Sequence, residues 1–321
     1  MPIRSKAVEY GVLRCYVERM SKQQIKQIIE NSVHTDGAVE TGVKGVQLFR
    51  VTEPIHCAPA VYEPTVVAIV NGSKEAILDG KTYVYDSNHY MCCTMSMPVE
   101  AGTPTASPEN PLLGVLISLD HRVITELAME IENAAGTIRM PKGAPEPQGF
   151  ALARWDDAFI DTLLRLLQLG DNPAATVALG AGRLKEVYYA ILNGDAGKSA
   201  RHAFGVGNGI ARAIEYMSAR LDEPITIDDM AARVGMSKTV FHRKFKDATT
   251  MSPIQFAKSI RLNNAAMKIA AGMNVNEAAM EVGYVSSSQF SREFKRLYGK
   301  SPRQWSNSRS PKVADMPVAT S

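Results

Sequence analysis

The first half of the chain consists of short apolar runs separated by turn residues, over residues 46–119. Two of these runs end at the dipeptides Asn71-Gly72 and Asp79-Gly80, which favour the two-residue turns of β-hairpins because these residues tolerate positive φ. Two such turns close together predict an antiparallel meander. The strands predicted from these runs cover residues 66–70, 82–85, 89–94 and 112–119. They are enough for a small barrel or sandwich.

Helical periodicity replaces the strand pattern after residue 120. Apolar side chains recur every three or four positions in the predicted helices, which cover residues 121–135, 155–169 and 184–193. A proline-rich stretch at residues 141–147 is predicted to be a loop, because proline removes a backbone donor. Leucines cover much of the second helix, and either the chain's own core or a second copy of the chain could bury them.

Glycines at residues 205–209 predict a flexible linker. The linker divides the sequence into a β-containing domain with helices, residues 1–204, and a helical domain, residues 210–307. Residues 308–321 are rich in Ser and Pro without apolar periodicity, so we expect a disordered tail.

Basic residues are concentrated in the helical part. The whole chain has a net charge of +3, but residues 207–310 contain 16 Lys and Arg against 9 Asp and Glu, whereas the remainder contains 20 against 24. A basic module beside a mildly acidic one predicts a polyanion as partner. Charge alone does not choose between nucleic acid and a membrane surface.

Neither a membrane segment nor a disulfide framework is expected. No stretch approaches the roughly 20 apolar residues that span a bilayer, and residues 1–19 have no signal-peptide core. The cysteines, Cys15, Cys57, Cys92 and Cys93, contain no CxxC pair. We expect reduced thiols, with redox sensing at Cys92 and Cys93 as the open alternative. Together these features predict a cytoplasmic protein.

An internal repeat is the most informative feature of the helical part. The sequence at residues 231–235 recurs in type at residues 279–283, at an offset of 48, and beyond the turn the offset becomes 49. The matched positions are Phe241, Arg243, Phe245, Lys246, Ser252, Pro253 and Phe256 with Phe290, Arg292, Phe294, Lys295, Ser301, Pro302 and Trp305. So many matches at one spacing predict two copies of one structural unit.

Each copy has the signals of a helix-turn-helix. In the first copy, Thr226 with Asp229 resembles a capping box, Gly235 supplies the turn and Ser237 caps the second helix. The corresponding signals in the second copy are Asn274, Glu277, Gly283 and one serine within residues 286–288.

Both second helices have an apolar and a cationic face. Phenylalanines four residues apart, at 241/245 and 290/294, predict the side that faces the core. The opposite side carries Thr239, His242, Arg243 and Lys246 in the first copy and Ser288, Ser291, Arg292 and Lys295 in the second. A recognition helix needs such residues, because arginine can donate two hydrogen bonds to guanine, short polar side chains reach base edges and lysines bind phosphates.

A long helix is predicted between the copies, at residues 253–271. At ~1.5 Å per residue it spans about 28 Å, which with its flanking turns can hold two recognition helices about one DNA turn, roughly 34 Å, apart. One chain is therefore predicted to bind two successive major-groove segments of double-stranded DNA.

At these residues the chain resembles the AraC/XylS family of bacterial transcription activators. The shared pattern includes Val-Gly-Tyr-x-Ser-x-Ser-Gln-Phe-Ser-Arg-x-Phe-Lys at residues 282–295. The resemblance implies base contacts from Thr239, His242, Arg243, Ser288, Gln289 and Arg292. Phosphate contacts are expected from Ser237, Lys238, Lys246, Ser286, Ser287, Ser291, Lys295 and Arg296. It also implies a nucleoid-associated protein.

The first half resembles the cupin-like effector domain of one branch of that family, through residues 48–50, 61–64, 71–74 and 119–120. The implied fold class is α+β: an antiparallel, cupin-like β-barrel with flanking helices, then an all-α domain of two helix-turn-helix units joined by a long helix. The first domain would bind a small-molecule effector or mediate homodimerisation. RNA polymerase is a candidate partner, and no cofactor or membrane partner is expected.

Two other classes of protein stay open. A metal-dependent cupin enzyme fused to a DNA-binding module would present histidines as HxH, whereas His34, His56 and His89 stand alone. We therefore assign neither metal ligands nor catalytic residues. A sequence-neutral architectural DNA protein would rely on phosphate contacts and groove wedges instead of base-reading side chains.

One position departs from the family pattern. Members commonly have glycine where this chain has Thr250, while the second copy keeps Gly299. If the turn there needs a positive φ, the β-branched threonine would be strained.

Overall fold

The computed structural model describes residues 3–135, 148–204, 208–223 and 226–307. The predicted loop at 141–147, residues 205–207 of the predicted linker and the predicted tail at 308–321 lie outside these ranges.

The strands form two antiparallel sheets around one hydrophobic core. In chain order the strands are β1 (Gly37–Glu40), β2 (Val46–Val51), β3 (Ile55–Tyr62), β4 (Thr65–Asn71), β5 (Ser73–Leu78), β6 (Lys81–Asp86), β7 (His89–Cys93), β8 (Met97–Thr103), β9 (Leu112–Ser118) and β10 (Phe150–Arg154). The larger sheet has the order β1-β2-β9-β4-β7-β10, and the smaller has the order β3-β8-β5-β6. This is the double-sheet arrangement of jelly rolls and cupins, in agreement with the expected fold.

The hairpin predicted at Asp79-Gly80 is confirmed. Leu78 of β5 pairs with Lys81 of β6, so two residues form the loop. Asp79 has φ 49° and Gly80 has φ 75°. Positive φ at both loop residues is the geometry that matches the twist of the strands on either side.

The hairpin predicted at Asn71-Gly72 is wrong, because β4 lies in the larger sheet and β5 in the smaller. The chain passes there from one sheet to the other. Gly72 has φ 79°, and a Cβ on it would lie 3.1 Å from Cα of Leu112. The Asn71 side chain donates to the carbonyl of Pro111 at 2.6 Å. The dipeptide thus forms a tight corner between the sheets, and the predicted meander is limited to β5 and β6.

Helices cover the larger sheet. They are α1 (Ile3–Ser32), α2 (His121–Ala135), α3 (Asp157–Leu167), α4 (Pro173–Asn193) and α5 (Gly197–Phe204). The predicted helix at 121–135 is confirmed, whereas α4 begins eleven residues before its predicted start at 184. Asn172 caps α4 by accepting from the backbone of Ala175 at 3.1 Å, and Pro173 suits the first helical position. The leucines of α3 are buried in the chain's own core.

Residues 208–223 and 226–307 are mainly helical, as predicted. They form α6 (Gly209–Ser218), α7 (Ile227–Arg233), α8 (Lys238–Thr249), α9 (Pro253–Ala270), α10 (Val275–Glu281), α11 (Ser287–Tyr298) and α12 (Pro302–Asn307). Helix α9 is the predicted long connection. It begins with a capping box in which Ser252 and Gln255 exchange side-chain and backbone hydrogen bonds, followed by Pro253. In the ranges given above, no helix has the length and apolarity needed to cross a membrane.

Candidate nucleic-acid interface

The first helix-turn-helix unit comprises α7, a tight turn and α8. Gly235 has φ 66° in the turn, and the amide of Met236 donates to the carbonyl of Ala231 at 2.9 Å. Ser237 caps α8, as predicted, by accepting from the amide of Val240 at 3.4 Å. These bonds satisfy backbone groups that the two helix ends would otherwise leave unpaired.

The second unit, α10 to α11, repeats this geometry. The amide of Tyr284 donates to the carbonyl of Ala279 at 2.9 Å, and Gly283 has φ 83°. Ser286 is the serine that caps α11, accepting from the amide of Gln289 at 3.2 Å. The second predicted capping box does not form, because Asn274 accepts from Asn276.

An aromatic cluster supports the second helix of each unit, α8 in the first and α11 in the second. In the first unit the ring centroids of Phe241 and Phe245 lie 5.5 Å apart, and those of Phe245 and Phe256 5.2 Å apart. In the second unit Phe290, Phe294 and Trp305 form the equivalent cluster, at 5.4 and 5.9 Å. The four helix phenylalanines are fully buried. The predicted core-facing sides of α8 and α11 are therefore confirmed.

The opposite sides of α8 and α11 face solvent. Every residue predicted to contact bases is exposed: Thr239, His242, Arg243, Ser288, Gln289 and Arg292. Of the residues predicted to contact phosphates, only Ser291 is half-buried, and the others are exposed: Ser237, Lys238, Lys246, Ser286, Ser287, Lys295 and Arg296. We call the exposed surfaces of α8 and α11 the two cationic stripes.

Some stripe residues have partners within the protein. Lys238 lies 3.1 Å from the carboxylate of Asp228, an exposed pair of little energetic weight. The side-chain amide of Gln289 donates weakly to the carboxylate of Glu293 at 3.4 Å. Glu293 also accepts from Tyr284 at 2.7 Å and pairs with Lys258 at 3.2 Å. Gln289 would have to leave Glu293 to reach a base.

A buried asparagine of α9 joins the helical domain to the smaller sheet. The Asn263 side chain donates to the carbonyls of Ala60 on β3, at 2.8 Å, and Val99 on β8, at 2.9 Å. Its oxygen accepts from the hydroxyl of Tyr298, at the end of α11, at 2.6 Å. This one side chain therefore ties the sheet, the connecting helix and the second recognition helix together.

The sequence reasoning missed Asn263, although a signal was present. Phe256, Ile260 and Asn263 occupy positions i, i+4 and i+7 of α9 and share its buried face. A polar residue in an apolar stripe indicates a buried hydrogen-bonding site.

Arg296 also lines a groove of about 320 Å³ between the domains, together with Glu100 and Lys258.

The described residues do not favour metal or thiol chemistry. They contain no group of three His, Cys, Asp or Glu side chains that could hold a metal ion. His34 and His56 are exposed, and His89 lies 4.0 Å from Asp86. Burial raises the pKa of the Cys92 thiol to about 12, which disfavours the reactive thiolate.

Two protein-family models together match most of the chain. Residues 42–199 match the AraC-type transcriptional regulator N-terminus, and residues 230–308 match a helix-turn-helix domain. The regulatory protein SoxS of Salmonella typhimurium is 31% identical over 97 residues, which is 30% of this chain and 91% of SoxS. The chain belongs to the AraC/XylS family of transcriptional regulators. It combines the helix-turn-helix DNA-binding domain of that family with an N-terminal regulatory domain.

Longer relatives match over only about a third of their own length. MtrA of Neisseria gonorrhoeae is 32% identical over 97 residues, and ArgR of Pseudomonas aeruginosa is 29% identical over 101 residues. The aligned region covers 30% and 31% of this chain, and it spans 32% of MtrA and 31% of ArgR. Family membership also points to a regulator and away from an enzyme.

Solved structures of ToxT from Vibrio cholerae share the fold. An apo ToxT variant has a TM-score of 0.51 at 12% identity, covering 81% of this chain and 96% of that protein. ToxT bound to (E)-4-(8-methylnaphthalen-1-yl)but-3-enoic acid also has a TM-score of 0.51 at 12% identity, covering 82% and 98%. The likeness extends over both domains of the AraC/XylS regulator.

Proposed function

We propose that this regulator binds DNA sequence-specifically and that each chain contacts two successive major-groove segments through α8 and α11. The observation that carries the proposal is the pair of matched cationic stripes, exposed on repeated units with the same turn bonds and the same aromatic support. Helix α9 spaces the units over 18 residues, or about 27 Å.

Arginines and lysines have different roles in this proposal. Arg243 and Arg292 occupy equivalent positions and read guanine edges, while Lys246 and Lys295, one helical turn further, bind phosphates. Thr239, His242, Ser288 and Gln289 complete the base contacts. The other phosphate contacts come from Ser237, Lys238, Ser286, Ser287, Ser291 and Arg296.

Selection of bound sequences from random DNA, followed by competition binding at about 0.15 M salt, tests specificity. A sequence-specific regulator prefers its selected site over random DNA by roughly 10³-fold or more. Comparable affinity for every sequence would favour an architectural DNA protein, which binds mainly through phosphates.

Alanine variants test the assignment of roles. Arg243→Ala or Arg292→Ala should cost about 1 to 3 kcal/mol at the selected site and relax discrimination at one base position. Lys246→Ala or Lys295→Ala should weaken binding to selected and random DNA equally and flatten its salt dependence. Exposed Lys44, in the regulatory domain, provides the matched control. Equal losses on both DNAs for all four stripe variants would contradict the assignment.

The regulatory domain is proposed to respond to a small effector and to support homodimerisation. Its support is the family match at residues 42–199 and the acid bound by ToxT, which has the same fold. A dimer would raise the effective affinity for paired DNA sites without new contacts. Sedimentation of the full chain tests dimerisation, and a promoter reporter tests activation, for which RNA polymerase is the proposed partner. We place this activity in the cytoplasm, at the nucleoid.

A further inference from the structure

A fully buried lysine lies between the two sheets of the regulatory domain. On β5, Lys74, Ala76 and Leu78 alternate with more exposed residues, so the Lys74 side chain points into the core. Its Nζ lies 5.9 Å from the ring of Phe49 on β2 and 5.6 Å from the ring of Tyr62 on β3. These two strands belong to different sheets, which places the amine between them.

The neighbouring strands place further polar groups beside Lys74. Tyr85 of β6 pairs with Lys74, and extending the register of β5 with β8 places Thr103 on its other side. Thr103 is fully buried, and its hydroxyl has no hydrogen-bond partner in the described structure, nor does Lys74 Nζ. The hydroxyls of Tyr62 and Tyr85 bond to each other at 3.0 Å. Lys74 and Thr103 therefore form a pair of adjacent, unsatisfied polar groups.

The surroundings do not compensate the charge of Lys74. Burial lowers the pKa of its amine to about 8, so the amine is still mostly protonated at neutral pH. Burial raises the pKa of Tyr62 and Tyr85, which keeps both phenols neutral. The aromatic rings attract a cation but offer no hydrogen-bond acceptor for its three N–H groups. A buried cation without an acceptor is costly unless an anion joins it.

We propose that a small anion, a carboxylate or a phosphate, binds between the two sheets with Lys74 as its counter-ion and the Thr103 hydroxyl as a second donor. This inference rests on the proposed effector response of the regulatory domain and assigns the chemical class of the effector. The proposed entry lies at the nearby rim, where exposed hydrogen bonds join Ser73 to Thr105 and Asn71 to Asn110, each at 3.1 Å. Exposed bonds of this kind open at little cost.

The anion site is connected to the DNA-binding domain through two strands. Tyr62 and Thr103, which border the site, belong to β3 and β8. The carbonyls of Ala60 and Val99 on the same strands hold Asn263 of α9. A ligand that shifts β3 or β8 therefore changes the support of the connecting helix, and with it the spacing of the two cationic stripes.

The test measures anion binding by the full chain without DNA. Sodium benzoate, acetate and inorganic phosphate are compared with the neutral isosteres benzamide and acetamide at about 10 mM and constant ionic strength, by thermal unfolding and calorimetry. At least one anion should raise the unfolding midpoint, whereas benzamide and acetamide should not. The carboxylate and phosphate arms identify which anion the site prefers.

Variants and a direct titration assign the effect to the proposed site. Lys74→Met should abolish the stabilisation by the anion, and Thr103→Val should weaken anion binding by about tenfold. The control Lys81→Met, at an exposed lysine on β6, should leave anion binding unchanged. Without anion, Lys74→Met should be at least as stable as the parent, because it removes an uncompensated charge. In the unmutated chain, NMR of labelled lysine should show the pKa of Lys74 rising when the anion binds.

Several results would overturn the anion site. They are the absence of any anion-specific stabilisation, a stabilisation that survives Lys74→Met, an unfolded Lys74→Met chain, and a Lys74 pKa that the anions leave unchanged. The regulatory proposal is tested separately, by DNA affinity with and without the anion. Anion binding that leaves DNA affinity unchanged would retain the site and refute its regulatory role, whereas specific DNA binding without anion binding would refute the site alone.

Discussion

The end of the first recognition helix stores backbone strain that a single substitution should release. Thr250 caps the C-terminus of α8; its φ of 66° lies in the left-handed region, and its amide donates to the carbonyl of Lys246 at 2.8 Å. In the second unit, Gly299 takes the same position with φ 71° and donates to Lys295 at 2.9 Å. The turn therefore has a positive φ in both units, and in the first unit a β-branched residue adopts it.

The gain from Thr250→Gly follows from three contributions. A left-handed conformation costs an L-residue about 1 to 2 kcal/mol. The Thr250 hydroxyl is buried without a partner in the described structure, which adds roughly another 1 kcal/mol. The greater freedom of glycine in the unfolded chain opposes these gains by about 0.5 to 1 kcal/mol. We expect Thr250→Gly to raise the free energy of unfolding of the DNA-binding domain by about 1 to 2.5 kcal/mol.

Urea unfolding followed by tryptophan fluorescence measures this change. The chain has two tryptophans, Trp155 near the regulatory core and Trp305 in the aromatic cluster of the second unit. A Trp155→Phe background leaves Trp305 as the reporter of the DNA-binding domain. At an unchanged slope, each gain of about 1 kcal/mol moves the midpoint to higher urea by roughly 0.3 to 1 M.

Gly299→Ala is the matched control, because a Cβ there would meet nothing within 4 Å. It changes only the backbone preference and should lower the free energy of unfolding by about 1 kcal/mol. If Thr250→Gly left the domain unchanged or less stable while Gly299→Ala behaved as expected, the threonine side chain would contribute more than its strain costs. The argument from φ would then be refuted.

Two further substitutions test the turns and the domain contact. Gly283→Ala should destabilise the protein by about 1 kcal/mol more than Gly235→Ala. A Cβ at Gly283 would lie 2.6 Å from the carbonyl of Leu221, whereas a Cβ at Gly235 would lie in open space. The urea midpoints of the two variants measure the difference. Asn263→Ala should cost about 3 kcal/mol, since it leaves two carbonyls and a tyrosine hydroxyl without their partner. Protease digestion between the domains should then accelerate, and unchanged stability and digestion would contradict this role.

The sequence predicted the DNA-binding domain well because its structure is local and repeated. The turn glycines, the capping serines and the aromatic pairs each act within a few residues. The same residue types recur at the equivalent positions of the second unit, so each inference about the first unit can be compared with the second. Thr250 shows how far this comparison extends: its mismatch with Gly299 marked a turn that would be strained if its φ were positive, and the structure shows a φ of 66°.

The regulatory domain was predicted less completely because its strand pairing is not local. A two-residue turn at Asn71-Gly72 favours a hairpin on local grounds, but β4 finds its partners in β7 and β9, far along the chain. Strands β1, β2, β3, β8 and β10 and helices α1 and α5 were also not predicted. Strand β8 is buried along almost its whole length, so it lacks the alternating pattern by which a half-exposed strand is recognised.

The contact between the domains was the least predictable feature and bears most on regulation. A glycine-containing linker suggested two independent domains, yet Asn263 bonds to two strands of the regulatory sheet across 203 and 164 residues of sequence. Because this side chain is buried, breaking its bonds without replacing them would leave unsatisfied polar groups. The recognition helices cannot therefore change their spacing freely while the sheet stays fixed. A ligand within the sheets can therefore act on the DNA-binding domain through β3 and β8, where Asn263 is held.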